Sequence, residues 1–150
     1  MYEVSLADGW VISDDRARLD VELVHRYIAD ESYWARGRSR AIMERCIANS
    51  LCFGLYAPDG SQAGFTRVVS DRAVIAHMND VFVLPAWRGR GLGRALVAAA
   101  LAHPELRTVI RWTLSTYDAH GLYAAFGFGP LANPETAMVR IVAEQPPESS

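Results

Sequence analysis

Arg88, Gly91 and Gly93 form an Arg-x-x-Gly-x-Gly spacing, with Gly89, Arg90 and Leu92 inside it and Arg94 just beyond. Three glycines within five residues remove the side chains that would hold an anion away from backbone N–H groups. The alanine-rich stretch Ala95 to Ala102 follows, so a helix opening here adds unpaired N–H donors and the positive end of its dipole. Arg88, Arg90 and Arg94 surround this concavity with charge suited to phosphate. The segment reads as a pyrophosphate seat.

Other phosphate chemistries fit less well. The chain has 15 basic residues and none is lysine, which excludes a Walker A loop, a Schiff base and pyridoxal chemistry. A Gly-x-Gly-x-x-Gly dinucleotide fingerprint counted from Gly89 meets Arg94 where its third glycine belongs.

The elements that must position this loop are legible from periodicity. Trp10 to Ile12 reads as a short strand pairing with Tyr2 to Leu6. Asp20 is placed to cap a helix reaching about Asp30, with Leu23, Val24, Tyr27 and Ile28 inward. A loop over 32–38 precedes a second helix, capped by Ser39 and running to Asn49. Three strands follow: Leu51 to Ala57, Ala63 to Val69 and Ala73 to Leu84, joined by turns at 58–61 and 71–72. Beyond the glycine loop come a helix to Ala102, a buried strand over Thr108 to Ser115, and a short helix over Ala119 to Phe126. Asp118 is placed to cap that helix, and Ala137 to Val142 would close the sheet. This order describes an α/β fold, a mixed and mostly antiparallel sheet flanked by helices, with its anion loop at the end of a central strand.

Composition sets the outer limits. At 150 residues, a chain 51% hydrophobic with a formal charge of −2 fits one domain that buries about 70% of its extended surface. The domain is expected over 1–142, with a disordered tail over 143–150. The charge balance predicts neither nucleic-acid nor membrane partners. The start lacks a signal-peptide pattern and the cysteines, Cys46 and Cys52, suit buried reduced thiols, so a cytoplasmic protein is expected. The four histidines lack metal-ligand spacing, and no metal is expected.

A second segment, Leu122-Tyr123-Ala124-Ala125-Phe126-Gly127-Phe128, lies about 30 residues after the glycine loop. By itself Tyr123 reads as one more half-buried aromatic. Together and in this order, the two segments resemble the GCN5-related N-acetyltransferase (GNAT) family: its pyrophosphate loop, and its Leu-Tyr-x-x-x-Gly-Phe helix. The resemblance in element order runs from Trp10 to Val142, and it implies the GNAT (acyl-CoA N-acyltransferase) fold.

The resemblance further implies acetyl transfer from acetyl-CoA to an amine. It places Val81, Phe82 and Val83 beside the pantetheine arm, and Arg88, Gly89, Arg90, Gly91, Leu92, Gly93 and Arg94 at the pyrophosphate. Tyr123 falls where the family carries a tyrosine that protonates the departing thiolate. Thr116 stands where the family often has a cofactor-touching asparagine.

An amine attacks a thioester only in its neutral form, so a base must take its proton, directly or through water. The family's strand bases map to His77 and Asn79, or to an acidic residue at Asp80. Alternation predicts His77, Asn79, Val81 and Val83 on one face, with Met78, Asp80 and Phe82 on the other. In this fold the loop between the first two helices borders the acceptor, here Tyr33, Trp34, Arg36 and Arg38. Aromatic rings beside arginines suggest an amine that also carries a carboxylate or phosphate. The leading expectation is a small-molecule amine acceptor. The alternatives are a peptide or protein N-terminal acetyltransferase and a non-catalytic acyl-CoA sensor. The fold is compatible with a homodimer.

Overall fold

The computed structural model describes residues 1–143. Strands β1 (Glu3–Ser5), β2 (Val11–Ser13), β3 (Leu51–Tyr56), β4 (Gln62–Ser70), β5 (Ile75–Val83) and β6 (Arg111–Thr113) form one sheet in sequence order. All neighbouring pairs are antiparallel except β5 and β6, which are parallel. Parallel neighbours need a crossover, and here helix α3 (Leu92–Leu101) lies within it.

Local chemistry explains the connections. Asp59 Oδ1 accepts from the Ser61 N–H and hydroxyl, closing the β3–β4 turn. Asp71 Oδ1 accepts from three successive N–H groups, Ala73 to Ile75, and reverses the chain into β5. Asp20 Oδ1 caps helix α1 (Val21–Arg26) through the Leu23 N–H, and Ser39 Oγ caps helix α2 (Arg40–Ala48) through the Ile42 N–H. The expected first helix continues past Arg26, but as a wider π-type turn over Tyr27–Glu31.

The sheet separates two cores. Leu96, Val97 and Ala100 of α3 pack with Ile12, Phe53, Leu55 and Met78 on one face. Val24, Ile28, Met43 and Ile47 of α1, its π turn and α2 pack with Cys52, Phe65 and Phe82 on the other. Both cysteines are free thiols, but only Cys52 is buried, whereas Cys46 is half-buried.

Strand β5 departs from simple alternation. Asp80 has φ +54°, and the β4–β5 register shifts between Phe65 and Arg67. Such a bulge reverses the phase of the pleat. Phe82 therefore packs on the α1–α2 side while Met78, Val81 and Val83 meet the α3 core. His77 and Asn79 stand opposite Val69 and Arg67, on the α1–α2 side. The expected grouping of Met78 with Phe82, and of His77 with Val81, is thus overturned.

Three other expectations change. The strand expected over 108–115 forms only at Arg111–Thr113, and it is half-exposed because it lies at the sheet edge. Residues 137–142 form no strand and stand exposed, since β6 offers an edge only three residues long. Asp118 does not cap the short helix α4 (His120–Ala124): Thr116 Oγ1 takes the Ala119 N–H instead, at 3.1 Å. The expected tail, apart from Ala143, lies outside the described residues.

Candidate functional site

Strands β5 and β6 stay paired from Ile75–Arg111 to His77–Thr113 and then part. A cleft of about 590 Å³ opens between them. One wall is β5 from His77 to Val83, and the other is Leu114, Ser115 and Thr116 with Asp118, Ala119 and Tyr123. Tyr27, Glu31, Tyr33, Trp34 and Arg38 close it from the α1–α2 side. The cleft thus brings together His77, Asp80, Val81, Phe82, Val83, Arg88, Thr116, Tyr123, Tyr33, Trp34 and Arg38 of the residues expected from sequence. Arg36 and the run from Gly89 to Arg94 do not line it.

That run instead sits beyond the C-terminal end of β5. Gly89 and Gly91 have φ of +80° and +76°, a region that costs an L side chain about 1–2 kcal/mol. A Cβ on either would meet open space, so their backbone faces outward without obstruction. Gly91 is also the N-cap of α3 and offers no side-chain cap. Among the described residues, none of the N–H groups from Gly89 to Arg94 has a protein acceptor; the first satisfied one is Ala95, bonded to the Gly91 carbonyl. Six consecutive donors at a helix N-terminus make a seat for a polyanion. Arg90 lies over the Trp87 ring at 4.9 Å, while Arg88 donates to the Val83 carbonyl and the Tyr27 hydroxyl.

Asp80 is committed to the protein. Its Oδ1 accepts from Trp34 Nε1 at 2.7 Å, and its Oδ2 accepts from Arg38 and Arg67. Burial pushes this carboxyl up, but the Arg67 and Arg38 guanidiniums and the bonds from Arg67 and Trp34 more than offset that. The net direction is down, so Asp80 stays ionised and is a weak proton acceptor at neutral pH. Arg67, 8% exposed, also reaches Ser50 Oγ.

His77 ends the β5–β6 ladder. Its Nδ1 lies 2.6 Å from Thr113 Oγ1, and Nε2 has no hydrogen-bond partner among the described residues. Burial and the nearby Arg67 charge lower its pKa, so the ring is neutral at pH 7. Tyr123 is 8% exposed, and its hydroxyl makes no hydrogen bond among the described residues. Burial first, then the Tyr33 and Asp118 charges, push its pKa up to about 12. The phenol therefore keeps its proton.

Sequence reading did not single out Glu31 or Tyr117, and it treated Asp118 only as a cap. Glu31 and Asp118 line the cleft with carboxylates that form no ion pair or hydrogen bond among the described residues. Tyr117 packs on Tyr33, with ring centroids 5.4 Å apart, and its N–H donates to the Tyr33 hydroxyl. The available signal was the position of Tyr117-Asp118 just ahead of the Leu122–Phe128 segment; nothing in the sequence ties Glu31 to either motif. Among the described residues, no group of three His, Cys, Asp or Glu side chains converges as a metal site. No helix among them is long and apolar enough to cross a membrane.

Comparison with known proteins agrees with this geometry. The acetyltransferase (GNAT) domain profile matches residues 49–130. A crystal structure from Xanthomonas campestris, described as a candidate GNAT acetyltransferase, is 44% identical with a TM-score of 0.87. The match covers 94% of this chain and 97% of that one. A Gibberella zeae protein, named as a candidate acetyltransferase, is 26% identical over 81% of this chain and 84% of its own length. A Mycobacterium tuberculosis structure described in complex with CoA shares the fold at 18% identity and a TM-score of 0.66, over 80% of this chain and 72% of that one. Loop, cleft and profile converge on one assignment: the chain belongs to the GCN5-related N-acetyltransferase (GNAT) family.

Proposed function

We propose that this protein transfers an acetyl group from acetyl-CoA to the primary amine of a small molecule by direct attack on the thioester. The observation that carries this reading is the run of N–H groups from Gly89 to Arg94, unpaired among the described residues, beside a cleft opened between β5 and β6. Those donors fit a pyrophosphate, and the β5 edge over 81–83, having no β6 neighbour, offers backbone groups to an amide-bearing arm. The Mycobacterium tuberculosis relative in complex with CoA adds support from a shared fold.

Bound acetyl-CoA supplies the thioester carbonyl that an amine attacks and the thiol that departs. Gly89 to Arg94 hold the diphosphate, with Arg88 at the boundary between loop and cleft. Backbone N–H groups on the Val81–Val83 edge stabilise the oxyanion. His77, neutral and with Nε2 available, accepts the proton that the ammonium must lose before attack. Tyr123 donates a hydrogen bond to the departing sulfur, a role suited to a buried phenol that stays protonated. Asp80 holds Arg38 and Trp34 in place and carries no proton. Tyr33, which lines the cleft, packs on Tyr117 of the β6–α4 connection, and this contact between the two sides supports a small acceptor over an extended peptide.

The test is thermal denaturation with acetyl-CoA, CoA, NAD or ATP, on wild type and Gly91→Glu. A ligand at 100 times its Kd stabilises by about 2.7 kcal/mol, which is several degrees at this size. A shift with the two CoA species alone, lost in Gly91→Glu, is the expected outcome. A shift with NAD or ATP alone, or none at all, removes this reading.

A further inference from the structure

The electrostatics at the acceptor end run opposite to what the arginines of the α1–α2 loop suggest. Arg38 reaches the cleft, but its guanidinium is paired with Asp80 at 2.9 Å, and Arg67 behind it is paired with the same carboxylate. Arg36 does not line the cleft. Arg88 stands at the cofactor-loop end, bonded to Tyr27 and Val83. No arginine on the acceptor side is thus presented to a carboxylate or phosphate on a substrate.

Carboxylates are presented instead. Glu31 lines the wall formed by the α1–α2 connection, and Asp118 lines the wall formed by the β6–α4 connection. Neither makes an ion pair or hydrogen bond among the described residues. Asp118 is free for this because Thr116 has taken over the helix-start hydrogen bond. Tyr33 and Trp34 line the same cleft, and Tyr117 packs on Tyr33 beside it. Tyr33 meets Trp34 edge-on at 5.0 Å and Tyr117 at 5.4 Å, and all three rings are substantially exposed. Exposed aromatic faces beside carboxylates recognise cationic nitrogen through its charge and its alkyl hydrogens together. An independent feature marks the same cleft as built for a ligand: Tyr123, 8% exposed, lines it with a hydroxyl that has no partner among the described residues.

We infer that the acceptor is a diamine-type cation, with one nitrogen acetylated and a second, still positively charged nitrogen held between Glu31, Asp118 and the Tyr33–Trp34–Tyr117 rings. This deepens the acetyltransferase reading and rests on it. The covalent step is unchanged: the ammonium first loses a proton to His77 or water, the N–C bond forms and the C–S bond breaks, and a second proton passes from the attacking nitrogen, through water or the Tyr123 hydroxyl, to the sulfur, which departs as thiol. The second nitrogen takes no part in that exchange. It sets orientation and affinity. An amine bearing a carboxylate or phosphate meets two uncompensated carboxylates and is disfavoured.

The experiment compares 1,4-diaminobutane, butylamine and 4-aminobutyrate, three acceptors of similar length that differ in the charge at the far end. Acetylation is followed as free thiol released, with acetylated amine counted by mass spectrometry. The expected order of kcat/KM is diamine, then monoamine, then amino acid, with steps of about fivefold or more. Glu31→Gln and Asp118→Asn should each reduce the diamine-to-monoamine ratio about fivefold, and added salt should reduce it further. Diamine binding to the CoA-saturated protein, read by calorimetry, should weaken in the same two variants.

Preference for 4-aminobutyrate, or a ratio unmoved by both variants, overturns the inference and leaves amine acetylation standing. Binding of CoA with no acetylation of any of the three amines overturns the acceptor assignment and the transfer reading together.

Discussion

Trp34 Nε1 donates to Asp80 Oδ1 across 2.7 Å, joining the α1–α2 loop to the bulge in β5 although 46 residues separate them in sequence. Arg38 reaches the other oxygen of the same carboxylate. One ionised side chain therefore anchors two points of the loop that borders the cleft.

Asp80→Asn removes that anchor and leaves Arg67 buried without its counter-ion. The expected loss of stability is about 3 kcal/mol or more, readable as a lower urea midpoint. The pH dependence has a definite sign. The folded pKa lies below the ordinary 3.8, so the stabilisation is present above the unfolded value and disappears as pH falls through the folded one. The difference between wild type and variant should therefore narrow below pH 3.8. Equal urea midpoints at pH 7 would show that the carboxylate is not holding the arginines.

His77 is held below its ordinary pKa of 6.5 by burial and by Arg67. As a base it is competent while neutral, so acetyl transfer should persist below pH 6.5 and fail only on further acidification. His77→Asn should flatten this acid limb and reduce kcat about a hundredfold. The same shift affects stability: protonation is disfavoured in the fold, so stability declines as pH drops from 6.5 toward the folded pKa. An unchanged acid limb in the variant assigns that limb to another group or to the substrate amine.

Tyr123→Phe separates chemistry from packing. The ring is buried, yet its hydroxyl bonds to nothing among the described residues, so the variant should keep its melting temperature or gain slightly. Turnover should fall about tenfold or more, while CoA affinity stays nearly constant. With the phenol pushed up to about 12, wild-type rates should show no Tyr123 ionisation up to pH 10. A variant with wild-type kcat would remove Tyr123 from the leaving-group role.

Much of this architecture was written locally. The caps Asp20 and Ser39, the Asp59 and Asp71 turns and the glycine loop act within a few residues, so the chain itself specifies them. The order of elements followed, and the family with it. Long-range geometry decided the rest. The φ of +54° at Asp80 reverses the face of β5, because register against β4 and the pairing of Asp80 with Arg67 and Arg38 outweigh the local preference for an unbroken strand. β6 shrinks to three residues because an edge strand has one neighbour, and that neighbour diverges from it. Residues 137–142 have a strand-like composition, but composition supplies no pairing edge. The arginines of the 36–38 segment suggested an anion site. Only the fold revealed that Arg38 is paired with Asp80, leaving Glu31 and Asp118 as the carboxylates that line the cleft with no ion pair among the described residues. A sequence lists charges; which of them are cancelled depends on neighbours that folding alone brings together.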